Sequence, residues 1–196
     1  IKQRIVSQRL AAVPMEPRAV VAAPDPTNGG LTLWSSTQTP HGIRSELAKQ
    51  LGLTENLVRV IAPDVGGGFG VKIGLYPEEL SLAALALRLQ MPLCWIEDRS
   101  ENLLATTHGR AQITDLELAV QQDGKVSALR IDVTGNVGAY PIFTFLPWLT
   151  GRMSVGVYHI PAVEINTRCV CTNTTPVAAY RGAGRPEAAY YLSLIH

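Results

Sequence analysis

The stretch Leu57-Val-Arg-Val-Ile-Ala-Pro-Asp-Val-Gly-Gly-Gly-Phe-Gly-Val-Lys72 decides how this chain is read. An apolar run of strand character, Leu57 to Ala62, empties into a glycine cluster that ends on a cation. Gly66, Gly67, Gly68 and Gly70 leave a backbone free to take positive φ and without Cβ atoms to keep a ligand away. Amide N–H groups in such a loop can point at one bound oxygen or anion. The familiar glycine loops do not fit. A P-loop needs Gly-Lys-Ser/Thr, but Val71 separates Gly70 from Lys72, and Ile73 stands where the hydroxyl belongs. A dinucleotide fingerprint needs a glycine in place of Val71 and an acidic residue closing a second strand, and it finds neither. Taken alone, a plain glycine-rich connection with no ligand is equally compatible.

Upstream of this stretch, Val20 to Ala23 and Leu31 to Ser35 read as strands, and the dense turn signal Pro24-Asp-Pro-Thr-Asn-Gly-Gly30 lets them pair as a hairpin. A helix is predicted from Pro40 to Leu51. Thr39 can cap it, Pro40 suits its first turn, Ile43, Leu47 and Leu51 share a face, and Gly52 stops it. Gln38 therefore falls at a strand-to-helix junction.

Downstream, Pro77-Glu-Glu79 opens a helix with two carboxylates at its positive end, and Leu80 to Leu89 is apolar almost all round, the mark of a buried helix. After Pro92, Leu93 to Ile96 is a predicted strand. The charged cluster Glu97-Asp-Arg-Ser-Glu101 reads as a solvated turn with local ion pairs. Alternation at Leu116, Leu118 and Val120, a turn at Asp123-Gly124, and alternation again at Leu129, Ile131 and Val133 predict a hairpin. Thr134 to Phe145 is loop-like, and Val163 to Cys171 is a further strand. A second glycine loop, Ala178-Ala-Tyr-Arg-Gly-Ala-Gly-Arg-Pro-Glu187, leads into a helical run that extends through Tyr190 to His196. Amides of Gly182 to Gly184 at a helix start make an anion site to which Arg181 or Arg185 would add charge, and a plain turn with a helix cap is equally compatible.

Composition narrows the partners. With 196 residues, 46% hydrophobic and 17% charged, the chain is of ordinary globular make-up and long enough for one sizeable core or two small ones. A net charge of +1, without runs of like charge, gives no footprint for nucleic acid or an anionic membrane. Cys94, Cys169 and Cys171 form no Cys-x-x-Cys pair and read as reduced core thiols, while His41, His108, His159 and His196 lack metal-ligand spacing. The longest apolar run is too short to span a bilayer and no signal peptide opens the chain, which points to a cytoplasmic setting. A strand-like start without methionine and an end inside an apolar helical run suggest a piece of a longer protein.

Taken together, Ser36-Thr-Gln38, Gly66-Gly-Gly-Phe-Gly70 with Lys72, and Ala179-Tyr-Arg-Gly-Ala-Gly-Arg185 resemble the molybdenum-binding large subunit of the xanthine dehydrogenase and aldehyde oxidase family, the molybdenum hydroxylases. Pro14-Met-Glu-Pro17, Glu97-Asp-Arg99 and Asn136-Val-Gly-Ala-Tyr140 add to the match, so it covers nearly the whole chain. Within the family the second loop looks like the carbon monoxide dehydrogenase-like branch called form II.

The resemblance implies an α+β fold, a mixed α/β molybdenum-cofactor-binding domain of the xanthine dehydrogenase type, incomplete at both ends and spanning 1–196. It also implies a molybdenum-molybdopterin cofactor in its cytosine dinucleotide form, with 2Fe-2S and FAD carried by an iron–sulfur subunit and an FAD subunit. The glutamine matching Gln38 donates to an oxygen of the molybdenum centre, and the loop residues Gly67, Gly68, Phe69 and Gly70 reach the same centre. Arg181, Gly182, Ala183 and Gly184 match the loop beside the metal and pterin. Gln38, Phe69 and Arg181 would thus surround the metal without ligating it, and the general-base glutamate lies downstream of these residues.

Departures from the family pattern narrow the chemistry further. Gly182 stands where true carbon monoxide dehydrogenases carry the cysteine for copper, and it offers no sulfur. Ile73 and Leu149 replace the glutamate and arginine of purine-hydroxylating members. An aldehyde or N-heterocycle substrate is therefore expected, and the alternative is a non-redox module that binds an anion or nucleotide with its two glycine loops.

Overall fold

The computed structural model describes residues 1–195; His196, the last residue of the predicted helical run, lies outside them. The chain forms two compact units: residues 1–12 with 107 onward, and residues 13–106 between them in sequence.

The unit made by residues 13–106 carries a four-stranded sheet of β2 (Ala19–Asp25), β3 (Gly30–Ser35), β4 (Val58–Ile61) and β5 (Leu93–Ile96), in the order β4-β3-β2-β5. The hairpin expected between β2 and β3 forms, with Val20 opposite Ser35 and Asp25 opposite Gly30. Strand β4 runs parallel to β3, so the connection must cross over, and α1 (Pro40–Leu51) makes that crossing. Gly52 ends α1 in the left-handed conformation expected of it. Thr39 occupies the cap position, but its hydroxyl donates to the Ile73 carbonyl instead of receiving a helix N–H. Alternate residues Val20 and Ala22 of β2 and Leu31 and Leu33 of β3 meet Ile43, Leu47 and Ala48 of α1 and Ala83 and Ala86 of α2 (Pro77–Leu89), forming one core.

Helix α2 corrects one expectation. It buries Ala83 and Ala86 and packs Leu80, Leu82 and Leu87 beside them, while Leu85 and Leu89 are 48% and 54% exposed, because only one side of the helix meets the sheet. The segment 97–101 corrects another. It is no solvated turn: Glu97 is fully buried, and Asp98 and Glu101 form a reciprocal cap on α3 (Arg99–Ala105).

In the other unit the sheet order is β1-β6-β7-β8, built from β1 (Lys2–Ala11), β6 (His108–Val120), β7 (Val126–Gly138) and β8 (Ala162–Cys171). Ile5, Leu116, Leu118, Leu129, Ile131 and Val133 fall on one face and are closed by Tyr191 of α5 (Arg185–Ile195). Strand β7 continues four residues past Thr134 to Gly138, so only 139–145 remains of the loop expected at 134–145. The alternation is hidden there because Gly135 replaces a side chain. A Cβ on Gly135 would lie 2.3 Å from Cγ of Pro147, and this missing atom is what lets α4 (Leu146–Met153) lie on β7. All three cysteines are free thiols, but they are exposed and not in the core. No helix among the described residues is long and apolar enough to cross a membrane.

Candidate functional site

Gln38 is placed by the segment between β3 and α1. Its N–H donates to the Lys72 carbonyl at 2.8 Å, and the Thr37 hydroxyl donates to the same carbonyl at 3.1 Å. The junction is therefore stitched directly to the far end of the glycine loop. The Gln38 side chain lies back over that loop, and its Oε1 accepts from the Gly70 N–H at 2.8 Å and from the Lys72 N–H at 3.3 Å. Two backbone donors fix which end of the amide is oxygen, so the NH₂ end is the one presented outward on an exposed residue.

Gly68 makes this possible. A Cβ there would sit 2.4 Å from Gln38 Oε1 and 2.6 Å from its Cδ. Phe69 holds φ 53, a left-handed conformation that costs a non-glycine residue about 1–3 kcal/mol. Its ring folds against Gly67 and stays 38% exposed.

Five of the loop amides are used within the protein and are not open to an anion as the glycine count suggested. Those of Gly66, Gly67, Gly70, Val71 and Lys72 donate to Glu16, Val65, Gln38, Gly68 and Gln38 respectively. Lys72 is no phosphate hook either. Its ammonium is fully buried and pairs with Glu16 at 2.8 Å, while the same Glu16 Oε2 accepts from Gly66 N–H at 2.7 Å. Burial pushes the Glu16 carboxyl up, but the hydrogen bonds from Lys72 and Gly66 and the Lys72 charge outweigh it and hold the group below the usual range.

Behind Glu16 stands the charged cluster that looked solvated. Arg99 donates to the carbonyls of Pro14 and Met15, and Glu97 accepts from the Arg18 N–H and guanidinium, so both ends of the segment carrying Glu16 are fixed. Arg18 is 2% exposed, stacks 3.9 Å from the Tyr76 ring centroid, and also reaches Glu78 at 3.2 Å. The Tyr76 hydroxyl in turn donates to the Val71 carbonyl at 2.7 Å, which closes the circuit back to the loop. Burial opposes ionisation of Glu97, yet the Arg18 and Asn102 hydrogen bonds keep its carboxyl lowered.

The second loop is built in the other unit. Tyr180 O accepts from the Ala183 N–H at 3.0 Å, and Gly182 O accepts from the Arg185 N–H at 3.3 Å, so the chain turns tightly into α5. The Ala183 amide is thereby used internally and does not serve the expected anion site. Gly182, Ala183 and Gly184 take φ of 100, 37 and 88, and Arg181 is exposed. Gly184 packs against α4 so closely that a Cβ would lie 2.9 Å from the Thr150 nitrogen and 3.2 Å from Leu149. Leu149 of α4 thus packs beside the loop.

Residues 1–195 match the molybdopterin cofactor-binding domain family. The chain belongs to that family. It is 38% identical to the 6-hydroxypseudooxynicotine dehydrogenase complex subunit gamma of Paenarthrobacter nicotinovorans, over 97% of this chain and 24% of the relative. The carbon monoxide dehydrogenase large chain of Hydrogenophaga pseudoflava is 35% identical, over 98% of this chain and 24% of that one. The crystal structure of quinoline 2-oxidoreductase from Pseudomonas putida 86 superposes with a TM-score of 0.90 at 37% identity, covering 98% of this chain and 26% of that one. The chain therefore spans about a quarter of the length of the relatives it matches.

Among the described residues no group of three or more His, Cys, Asp or Glu could hold a metal directly. What the family member offers instead is an oriented neutral donor at Gln38, seated on a Gly68 backbone that has no Cβ to displace it. Such a set fits a cofactor held by hydrogen bonds to its own oxygens. The sequence reading missed Glu16, Arg18 and Tyr76 as supports of the first loop. The cap pattern Asp98-x-x-Glu101 was readable and would have exposed α3, but nothing local marks Arg18 and Glu97, 79 residues apart, as partners.

Proposed function

We propose that this chain is the first part of a single molybdenum-cofactor-binding domain, within a hydroxylase that inserts water-derived oxygen at a carbon of an N-heterocycle or aldehyde. The observation that carries this reading is the Gln38 amide, whose oxygen is held by Gly70 and Lys72 and whose NH₂ is left to donate. When bound, the cofactor supplies the two-electron redox chemistry. Gln38 would donate to one of its oxygens, Gly67, Gly68, Phe69 and Gly70 would set how near the backbone comes, and Arg181, Gly182, Ala183 and Gly184 would contribute the loop beside it. A neutral, preorganised donor stabilises charge on oxygen without adding a charge that would shift the redox potential.

The cofactor would be the cytosine dinucleotide form, and an iron–sulfur subunit and an FAD subunit would supply the 2Fe-2S and FAD groups as electron carriers, in the cytoplasm. One relative's designation as a complex subunit supports such an assembly. Gly182 gives copper no sulfur, which argues against CO oxidation despite the carbon monoxide dehydrogenase relative. Ile73 and Leu149 provide no charged anchor for a purine. The relative that acts on quinoline favours an N-heterocycle over an aldehyde.

Replacing Gln38 in the complete subunit tests the reading. Gln38→Ala should keep molybdenum content and melting temperature while kcat falls by the equivalent of about 2.7–4 kcal/mol, as on removal of one oxyanion-type donor. An unchanged kcat with a lowered melting temperature would make Gln38 a turn residue and overturn the proposal.

A further inference from the structure

The backbone at the start of β6 is strained where nothing in the sequence asks for it. Arg110 and Ala111 take φ of 65 and 59, two consecutive non-glycine residues in the left-handed region. Such backbone is strained and persists only where its surroundings over-determine it. The surroundings here are the second glycine loop. Gly109, just before the bend, has Tyr180 so close that a Cβ would lie 2.3 Å from Tyr180 Cβ.

The bend delivers the Arg110 guanidinium to the entrance of that loop. One of its nitrogens donates to the Tyr180 carbonyl at 2.8 Å and another to the Arg181 carbonyl at 3.0 Å. Its centre lies 4.8 Å from the Tyr180 ring centroid, and it faces Glu187 of α5 at 3.5 Å, with both side chains buried. Successive groups of an extended chain point to opposite sides. A single planar fork that takes two successive carbonyls therefore holds the chain out of the extended conformation at Tyr180-Arg181. A lysine, which presents one compact charge, has no such fork.

We propose that Arg110 is the positioning residue of the loop Arg181–Gly184, fixing its backbone for the cofactor. This rests on the reading that the loop lies against the cofactor. A support that served only stability would lower the melting temperature and leave the metal's surroundings unaltered.

Two variants of the complete, cofactor-loaded subunit separate these roles. Arg110→Met with Glu187→Gln removes the fork without leaving a buried carboxylate beside an apolar stem, and Arg110→Lys keeps a charge beside Glu187 but lacks the fork. Both should change the Mo(V) electron paramagnetic resonance signal, and the double variant should lower kcat about 100-fold with KM within about twofold, since a small misplacement of reacting groups has that effect. If the double variant does not accumulate, Arg110→Lys decides alone.

A native signal and native kcat in the variants that fold, with only the melting temperature lowered, would overturn the proposal. Gly184→Ala tells which idea has failed, because it moves the loop directly. If it too leaves the signal unchanged, the loop does not face the cofactor. If it alters the signal while the Arg110 variants do not, only the role of Arg110 falls.

Discussion

The loops Gly66–Gly70 and Arg181–Gly184 are both built on glycines, yet side chains from elsewhere take N–H groups at the first and carbonyls at the second. Gln38 Oε1 and Glu16 Oε2 are acceptors and take the amides of Gly70, Lys72 and Gly66. Arg110 is a donor and takes the oxygens of Tyr180 and Arg181. Glycine supplies only backbone freedom and nearness. The polarity that a loop offers to a ligand depends on which backbone groups its supports have already occupied.

The strongest way to break the comparison is to remove the charge on which the first loop stands. Glu97→Gln leaves Arg18 buried with its main partner neutral, so about 3–5 kcal/mol of stability should be lost. Hydrogen exchange should show opening in residues 13–106 before the sheet of β6, β7 and β8. Equal opening in both units would mean that the Arg18–Glu97 pair does not support the first loop selectively.

A smaller effect sharpens what the second loop needs. Gly184→Ala meets both a φ of +88 and the Thr150 backbone nitrogen at 2.9 Å, whereas Gly124→Ala meets φ +86 with nothing within 4 Å. The Gly124 variant should cost about 1 kcal/mol, and the Gly184 variant clearly more, within the roughly 1–3 kcal/mol typical of strained positions. Urea melts of the two variants compare them directly. Equal losses would show that α4 yields easily and that only backbone strain matters in this loop.

The smallest expected difference is in pH response. Glu16 and Glu97 have lowered carboxyls, so their contribution is fully present above an ordinary glutamate pKa of about 4.3 and is lost as pH falls through their folded values. Tyr191 moves the other way. Burial pushes its hydroxyl up from 10.0 to about 12, so its contribution is complete below pH 10 and disappears as pH rises toward 12. Acid should therefore loosen residues 13–106 first, and alkali should loosen the packing of α5 on its sheet first. Hydrogen exchange at pH 3.5 and 11 checks this assignment; the reverse order would refute it.

Much of the scaffold was legible because its signals are local. Pro40 and Gly52 bracket α1, Pro77 opens α2, and Asp123-Gly124 turns the hairpin, each acting on its nearest neighbours. The three separated motifs were equally readable, and they led to the family. Periodicity misled where a short-range pattern met long-range packing. Leu85 and Leu89 continued an apolar run onto an exposed side, and Gly135 interrupted an alternation exactly where α4 needed room.

By itself, then, the sequence determined most of the segments that become helix, strand and glycine loop, α3 and α4 excepted, because those choices depend on residues a few positions apart. Only the tertiary structure decided what each loop's backbone is bonded to. Gln38 meets Gly70 across 32 residues, Lys72 meets Glu16 across 56, Arg110 meets Tyr180 across 70, and Arg18 meets Glu97 across 79. A buried charge or hydrogen-bonding group gains a defined partner only when folding removes water from both, and no local propensity encodes which distant residue that will be.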